Sequence, residues 1–134
     1  MPKIKLRNET VFRAPTRVGL LADVTERLYA KGINLLGIRA YDEDGSGVFL
    51  IYADDSRLAA EALEMLPDGH VTSAAIISAE VPNTPGSLAK ISRALAHADI
   101  NVLEIHATNT DAPTAELVID TDDNIRAMAV LEKS

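Results

Sequence analysis

The sequence has no cysteine and no tryptophan, and its only aromatic side chains are three tyrosines and two phenylalanines. Without a thiol there is no disulfide, no cysteine nucleophile and no thiolate metal site. Positive charge is in deficit: 13 Lys/Arg stand against 20 Asp/Glu, a net charge of −7. Such a chain repels a polyanion, and no basic stripe is available to release counterions, so neither nucleic acid nor an anionic membrane is an expected partner. Long apolar runs are missing as well. The longest, Val48 to Ala53, has six residues, where a bilayer span needs about 20. The opening Met1-Pro2-Lys3-Ile4-Lys5 has no apolar stretch of the kind a secretory signal carries. The expectation is a soluble cytoplasmic protein.

Reactive motifs are equally sparse. The three histidines, His70, His97 and His106, form no metal-spaced pair, and HExxH, GxGxxG, GxxxxGK[ST] and GxSxG are all absent. The paired carboxylates Asp54-Asp55 and Asp122-Asp123 read as helix caps. Asp42 to Gly47 lacks the later bidentate Glu of a calcium loop and reads as a turn. No catalytic residue, metal or cofactor is expected, and the chain is not expected to be an enzyme.

What the sequence does contain is an internal repeat. Set from Pro15 against Pro82, 10 of 26 positions are identical, where about two would coincide by chance. They include Gly19/Gly86, Leu21/Leu88, Ile33/Ile100, Asn34/Asn101 and Ile38/Ile105. The offset is 67, half the chain, and at that same offset the likeness continues as Leu50/Leu117, Asp55/Asp122, Leu58/Ile125 and Ala62/Ala129. Although 134 residues is a one-domain length, two units are expected, 1–69 and 70–134. Neither is long enough to hold a sufficient core alone.

Within a unit the apolar period changes. Leu21, Val24, Leu28 and Leu88, Ile91, Leu95 have helical spacing, whereas Leu36, Ile38, Ala40 and Leu103, Ile105, Ala107 alternate like the buried face of a strand. Gly32, and less comfortably Asp99, suit a left-handed helix end. Strand-like stretches, Lys3 to Ala14 and His70 to Val81, precede each unit. The order strand, helix, strand, strand, helix, strand gives a ferredoxin-like α+β unit: an antiparallel sheet with both helices on one face. The second unit runs out of chain before its last strand, so the N-terminal segment is expected to supply it, in cis or from a partner chain.

The segment between first strand and first helix is the most informative. Pro82-Asn83-Thr84-Pro85-Gly86-Ser87-Leu88 opens a helix with proline and glycine at a sheet's mouth, where free N–H groups suit a carboxylate. Asn83 is read as either a helix cap or a ligand contact. Asn101 is read as a turn residue or a contact that an antiparallel sheet brings to the same mouth.

Pro85-Gly86-Ser87-Leu88-Ala89 followed by Ile100-Asn101 and an alternating strand resembles the ACT domain. The first copy, Arg17 to Ala22 followed by Ile33-Asn34, resembles it with Val18 in place of the proline. The resemblance covers the whole chain as two tandem copies. It implies a regulatory protein that binds a small effector, most often an amino acid, at the interface between paired units. It places the ligand contacts at Asn83, Thr84, Gly86, Ser87, Leu88 and Asn101, and at Thr16, Arg17, Gly19, Leu20, Leu21 and Asn34. A homodimer is expected. The alternative is a regulatory subunit or interaction module acting on a metabolic enzyme without its own ligand, through a polar sheet face carrying Arg39, Tyr41, Glu104 and His106.

Overall fold

A computed structural model of the chain describes residues 3–108 and 111–134. Ten elements follow in order: β1 (Lys3–Pro15), α1 (Leu20–Ala30), β2 (Leu35–Glu43), β3 (Ser46–Ala53), α2 (Ser56–Glu64), β4 (His70–Pro82), α3 (Ser87–His97), β5 (Val102–Thr108), β6 (Thr114–Thr121) and α4 (Asn124–Glu132). They form two compact units. The first is Asn8–Ala74; the second joins the N-terminal residues through Arg7 to Ala75–Ser134. The divisions fall inside β1 and β4, so each of these 13-residue strands serves both units. A repeat fixes a period but not its phase, which is why the sequence places the boundary at 69/70 instead.

The strand order is β2-β3-β1-β4 in the first unit and β1-β4-β6-β5 in the second. Antiparallel pairing joins β3 to β1 and β2, and β6 to β4 and β5. Two helices cover one sheet face in each unit, as the sequence order requires. The first core gathers Phe12, Val24, Leu28, Ile51, Ala59 and Leu63; the second gathers Ile77, Ala79, Leu95, Ile119, Ala127 and Leu131. Among the described residues no helix is long and apolar enough to cross a membrane.

Local chemistry explains the element ends. The hairpin between β2 and β3 turns on Asp44 and Gly45, both at positive φ (50° and 87°), a primed turn that matches strand twist. Asp55 and Asp123 cap α2 and α4, accepting from Leu58 N–H at 3.0 Å and Arg126 N–H at 3.1 Å. After α1 and α3, Gly32 (φ 70°) and Asp99 (φ 60°) are both left-handed. The following Ile33 and Ile100 N–H groups return to Leu28 and Leu95 carbonyls at 3.1 and 3.0 Å, closing each helix and dropping an isoleucine into each core.

Four sequence expectations are corrected. The repeat does not hold one offset throughout. It runs at 67 as far as β5 and at 68 from β6 onward, because β3 and β6 begin at Ser46 and Thr114, after turns of different length. The true equivalents are therefore Ile51/Ile119, Asp55/Asp123, Ala59/Ala127 and Leu63/Leu131, and Ile125 is exposed. The buried stripe of α1 begins at Leu20, not Leu21, which is exposed like its counterpart Leu88. Leu36, Ile38, Leu103 and Ile105 are also exposed: β2 and β5 are edge strands, and irregularities at Leu35/Gly37 and Val102/Glu104 break the alternation. It is Leu35 and Val102 that pack against the cores.

The fourth correction concerns Arg39, which does not lie on an open polar face. Its guanidinium donates to Glu9 at 2.6 Å, and the Glu9 side chain is 1% exposed. Removing one member of such a pair strands the other charge. Glu9→Ala is expected to cost about 3–5 kcal/mol in urea unfolding, while Glu9→Leu with Arg39→Met recovers most of it. A single-variant loss under 1 kcal/mol would show that the pair does not hold this face.

Candidate functional site: the mouth of the second unit

The site begins at Gly86. Its φ of 90° puts it in the left-handed region, directly before α3. An L side chain resists this conformation, and glycine adopts it freely. No atom lies within 4 Å of where a β-carbon would stand, so the glycine answers to backbone angle and not to a close neighbour. Gly19 does the same before α1, at φ 89°.

The turn this creates is held by side chains. Asn83 does not cap the helix; its N–H donates to Pro113 O at 2.9 Å and its Nδ2 to Ala112 O at 3.0 Å. It ties the end of β4 to the segment leading into β6. Ser87 Oγ donates to Pro82 O at 2.6 Å and lies 3.2 Å from Thr84 Oγ1. With the Ser87 proton committed to Pro82, the Thr84 hydroxyl donates to Ser87 and keeps its own lone pairs for an incoming donor. The first helical bond at this end is Lys90 N–H to Gly86 O, at 2.9 Å. The N–H groups of Leu88 and Ala89 therefore belong to the unsatisfied first turn, with its positive partial charge.

A cavity of about 200 Å³ opens here, with Asn83, Thr84 and Ser87 as its polar side. Its apolar walls are Val81, Leu88, Ala107, Ala115 and Leu117, and among the described residues no charged side chain lines it. Ala107 comes from β5, and Ala115 and Leu117 come from β6. Sequence reasoning missed these three; only the strand register brings them to the mouth. A second cavity of similar size, near 210 Å³, is lined by Lys3, Lys5, Ser78, Glu80 and Glu116. Glu116 there accepts from Ser78 Oγ at 2.7 Å and from Arg7 at 3.4 Å, so its carboxylate is engaged within the unit.

Asn101 is not brought to this mouth. It precedes β5 at the end where Val102 faces Thr121, whereas Pro82 faces Thr114 at the other end of β6. The eight residues of β6, at about 3.4 Å each, separate the two. A strand that follows α3 starts beside the helix C-terminus, while the mouth is at its N-terminus. Asn101 joins Asp122 through its backbone: its N–H donates to Oδ1 at 3.2 Å, and its carbonyl accepts from Asp122 N–H at 3.0 Å. Asn34 makes the same pair of bonds with Asp54, both at 3.1 Å, again far from its own unit's mouth.

In the first unit the expected contacts have other occupations. Leu20 is core. Thr16 donates its hydroxyl to Asp42 and its N–H to Gly45 O, and Arg17 pairs with Asp23. Gly19 shapes the backbone, and Leu21 is exposed.

The order and layering define a ferredoxin-like α+β protein, built twice. Within that class, residues 75–133 match the ACT domain family, and this segment is an ACT domain. No curated protein matches the sequence. Among solved structures, a protein from Bacteroides thetaiotaomicron superposes with a TM-score of 0.87 at 22% identity, covering 97% of this chain and 89% of that one. The ligand-free regulatory subunit of aspartate kinase from Thermus thermophilus gives 0.67 at 20% identity, covering 98% and 95%. The corresponding subunit from Thermus flavus gives 0.66 at 22%, covering 98% and 92%. These likenesses establish the shared fold across the whole chain.

Asn83→Ala is expected to cost about 1 kcal/mol and to speed amide exchange around Ala112 to Ala115. Asn101→Ala, whose bonds are backbone bonds, leaves that exchange unchanged. Equal behaviour of the two variants would mean that the Asn83 side chain does not hold the mouth.

Proposed function

We propose that the chain is a non-catalytic regulatory protein of two ACT units that binds a small amino acid at the mouth of the second unit. The observation that carries this reading is the cavity itself: an apolar pocket whose polar side coincides with the first turn of α3. The Leu88 and Ala89 N–H groups suit the α-carboxylate. The Thr84 lone pairs suit the α-ammonium. The side chain then enters walls of Val81, Ala107, Ala115 and Leu117. No charged group there would compensate a buried charge, so the effector has a small uncharged side chain. The whole-chain likeness to the aspartate kinase regulatory subunit supports a role exerted on a metabolic enzyme rather than chemistry of its own.

Binding has a route to assembly. β5 is an edge strand, and Leu103 (60% exposed) and Ile105 (41%) lie along it. An apolar open edge is a template for a second copy, which makes the protein a homodimer. Ala107 belongs to both the edge strand and the cavity wall. A ligand that prefers one packing of that edge shifts the assembly equilibrium by its difference in affinity.

Thermal melting with the L-amino acids tests the reading. Alanine, serine, threonine and valine are the class expected to act; at 100 times its dissociation constant, a binder adds about 2.7 kcal/mol and raises the midpoint by several degrees. Lysine, arginine, aspartate and glutamate leave it unchanged. Flat curves throughout would favour a module that acts on a partner enzyme without an effector. Leu103→Lys with Ile105→Lys is expected to convert the dimer to monomer in sedimentation velocity, with the midpoint of the isolated chain little changed.

A further inference from the structure

The cavity of the second unit has a position-for-position counterpart in the first, and there a side chain takes up most of the space, leaving about 80 Å³ beside Phe12, Ala14, Pro15, Arg17 and Leu20. Leu20 stands where Ser87 stands, Gly47 where Ala115 stands, and Phe49 where Leu117 stands. Ser87 bends its hydroxyl back to Pro82 O and leaves the pocket open. Leu20 instead turns inward, is 7% exposed and joins the core of its unit. Its Cδ2 lies so close over Gly47 that a β-carbon there would stand 2.7 Å from it, and 3.3 Å from Phe49 Cε1. The leucine and the glycine are thus a matched pair. Leu20 fits because position 47 has no side chain, and Ala115 fits because position 87 has a short one. The polar groups of the first mouth are also committed internally, Thr16 to Asp42 and Arg17 to Asp23.

We propose that the chain binds one amino acid per copy, in the second unit alone, and that Leu20 is a built-in plug that narrows the counterpart site of the first unit to about 80 Å³, against about 200 Å³ in the second. The proposal rests on the reading of the second unit's cavity as an effector site, and adds which unit holds it and what disables the other. Stoichiometry and specificity then follow from one exchange of side-chain volume between equivalent positions.

Isothermal titration of the full chain with each of the twenty L-amino acids counts the sites. One site per chain is expected for the amino acids that bind. Ser87→Leu with Ala115→Gly transplants the matched pair into the second unit. It is expected to abolish titration heat for every amino acid while keeping the melting midpoint at or above that of the parent, because it fills a void. Ala115→Leu, which fills the same cavity from β6, should give the same loss and covers the case in which the double variant misfolds. Two sites per chain, or a site of undiminished affinity in either filled variant that retains a cooperative melt, would overturn the plug. Absence of binding by the parent chain for all twenty would overturn the effector reading itself, and the plug with it.

Discussion

The turn into the first helix of each unit depends on a single backbone angle, φ near 90° at Gly19 and Gly86. No other residue type holds that angle cheaply. In the second unit it sets where α3 begins, and so where its unsatisfied N–H groups lie. It also brings Ser87 back within hydrogen-bond reach of Pro82 and Thr84, which completes the polar side of the cavity. The rest of the mouth is secondary to this: Asn83 ties down the segment before β6, and the strands supply walls. Without the left-handed glycine, the helix would start in another direction and these groups would not converge.

The two units use the same frame for different ends. Both close their helices with a left-handed residue and a buried isoleucine, and both cap the second helix with an aspartate. Their interiors differ. The first unit packs Phe12 and Phe49 with ring centroids 6.0 Å apart and adds Leu20. The second has Ala79, Leu117 and Ser87 at those positions. A well-packed interior tolerates little empty volume unless something else fills it. The smaller residues of the second unit leave a cavity of about 200 Å³, which the larger ones of the first reduce to about 80 Å³.

Much of this frame was legible in the sequence, and the reasons are local. Gly86, Gly32 and the Asp44-Gly45 turn announce backbone angles that few residues adopt. Asp55 and Asp123 announce helix starts by a side-chain bond to a neighbouring N–H. The expectation that Asn101 comes to the mouth beside Asn83 failed because that geometry is not local. Asn101 reads like a partner of Asn83 because both flank α3, yet a helix of 11 residues at about 1.5 Å each keeps its two ends apart. Leu20 and Leu21 are indistinguishable by composition; only the phase of the helix decides which faces the core. Ala107 and Ala115 carry no signal at all, since an alanine becomes a cavity wall through strand register. The change of offset from 67 to 68 hid for the same reason: a turn absorbs one residue without disturbing either strand's alternation.

The residues the two units share on their surfaces separate two features, an apolar edge and a cavity. Leu21, Leu36 and Ile38 in the first unit correspond to Leu88, Leu103 and Ile105 in the second, the same residue types, all exposed. Exposed leucine and isoleucine do nothing for a core, and an edge strand bearing them invites pairing. The interior positions beneath do not match: Leu20 opposes Ser87, and Gly47 opposes Ala115. An apolar edge is thus present whether the space behind it is filled or open, so pairing does not require a cavity. A cavity can bear on the edge all the same, because Ala107 lines it beside Leu88 and belongs to the edge strand β5. An occupant touching those two residues acts on the edge from behind.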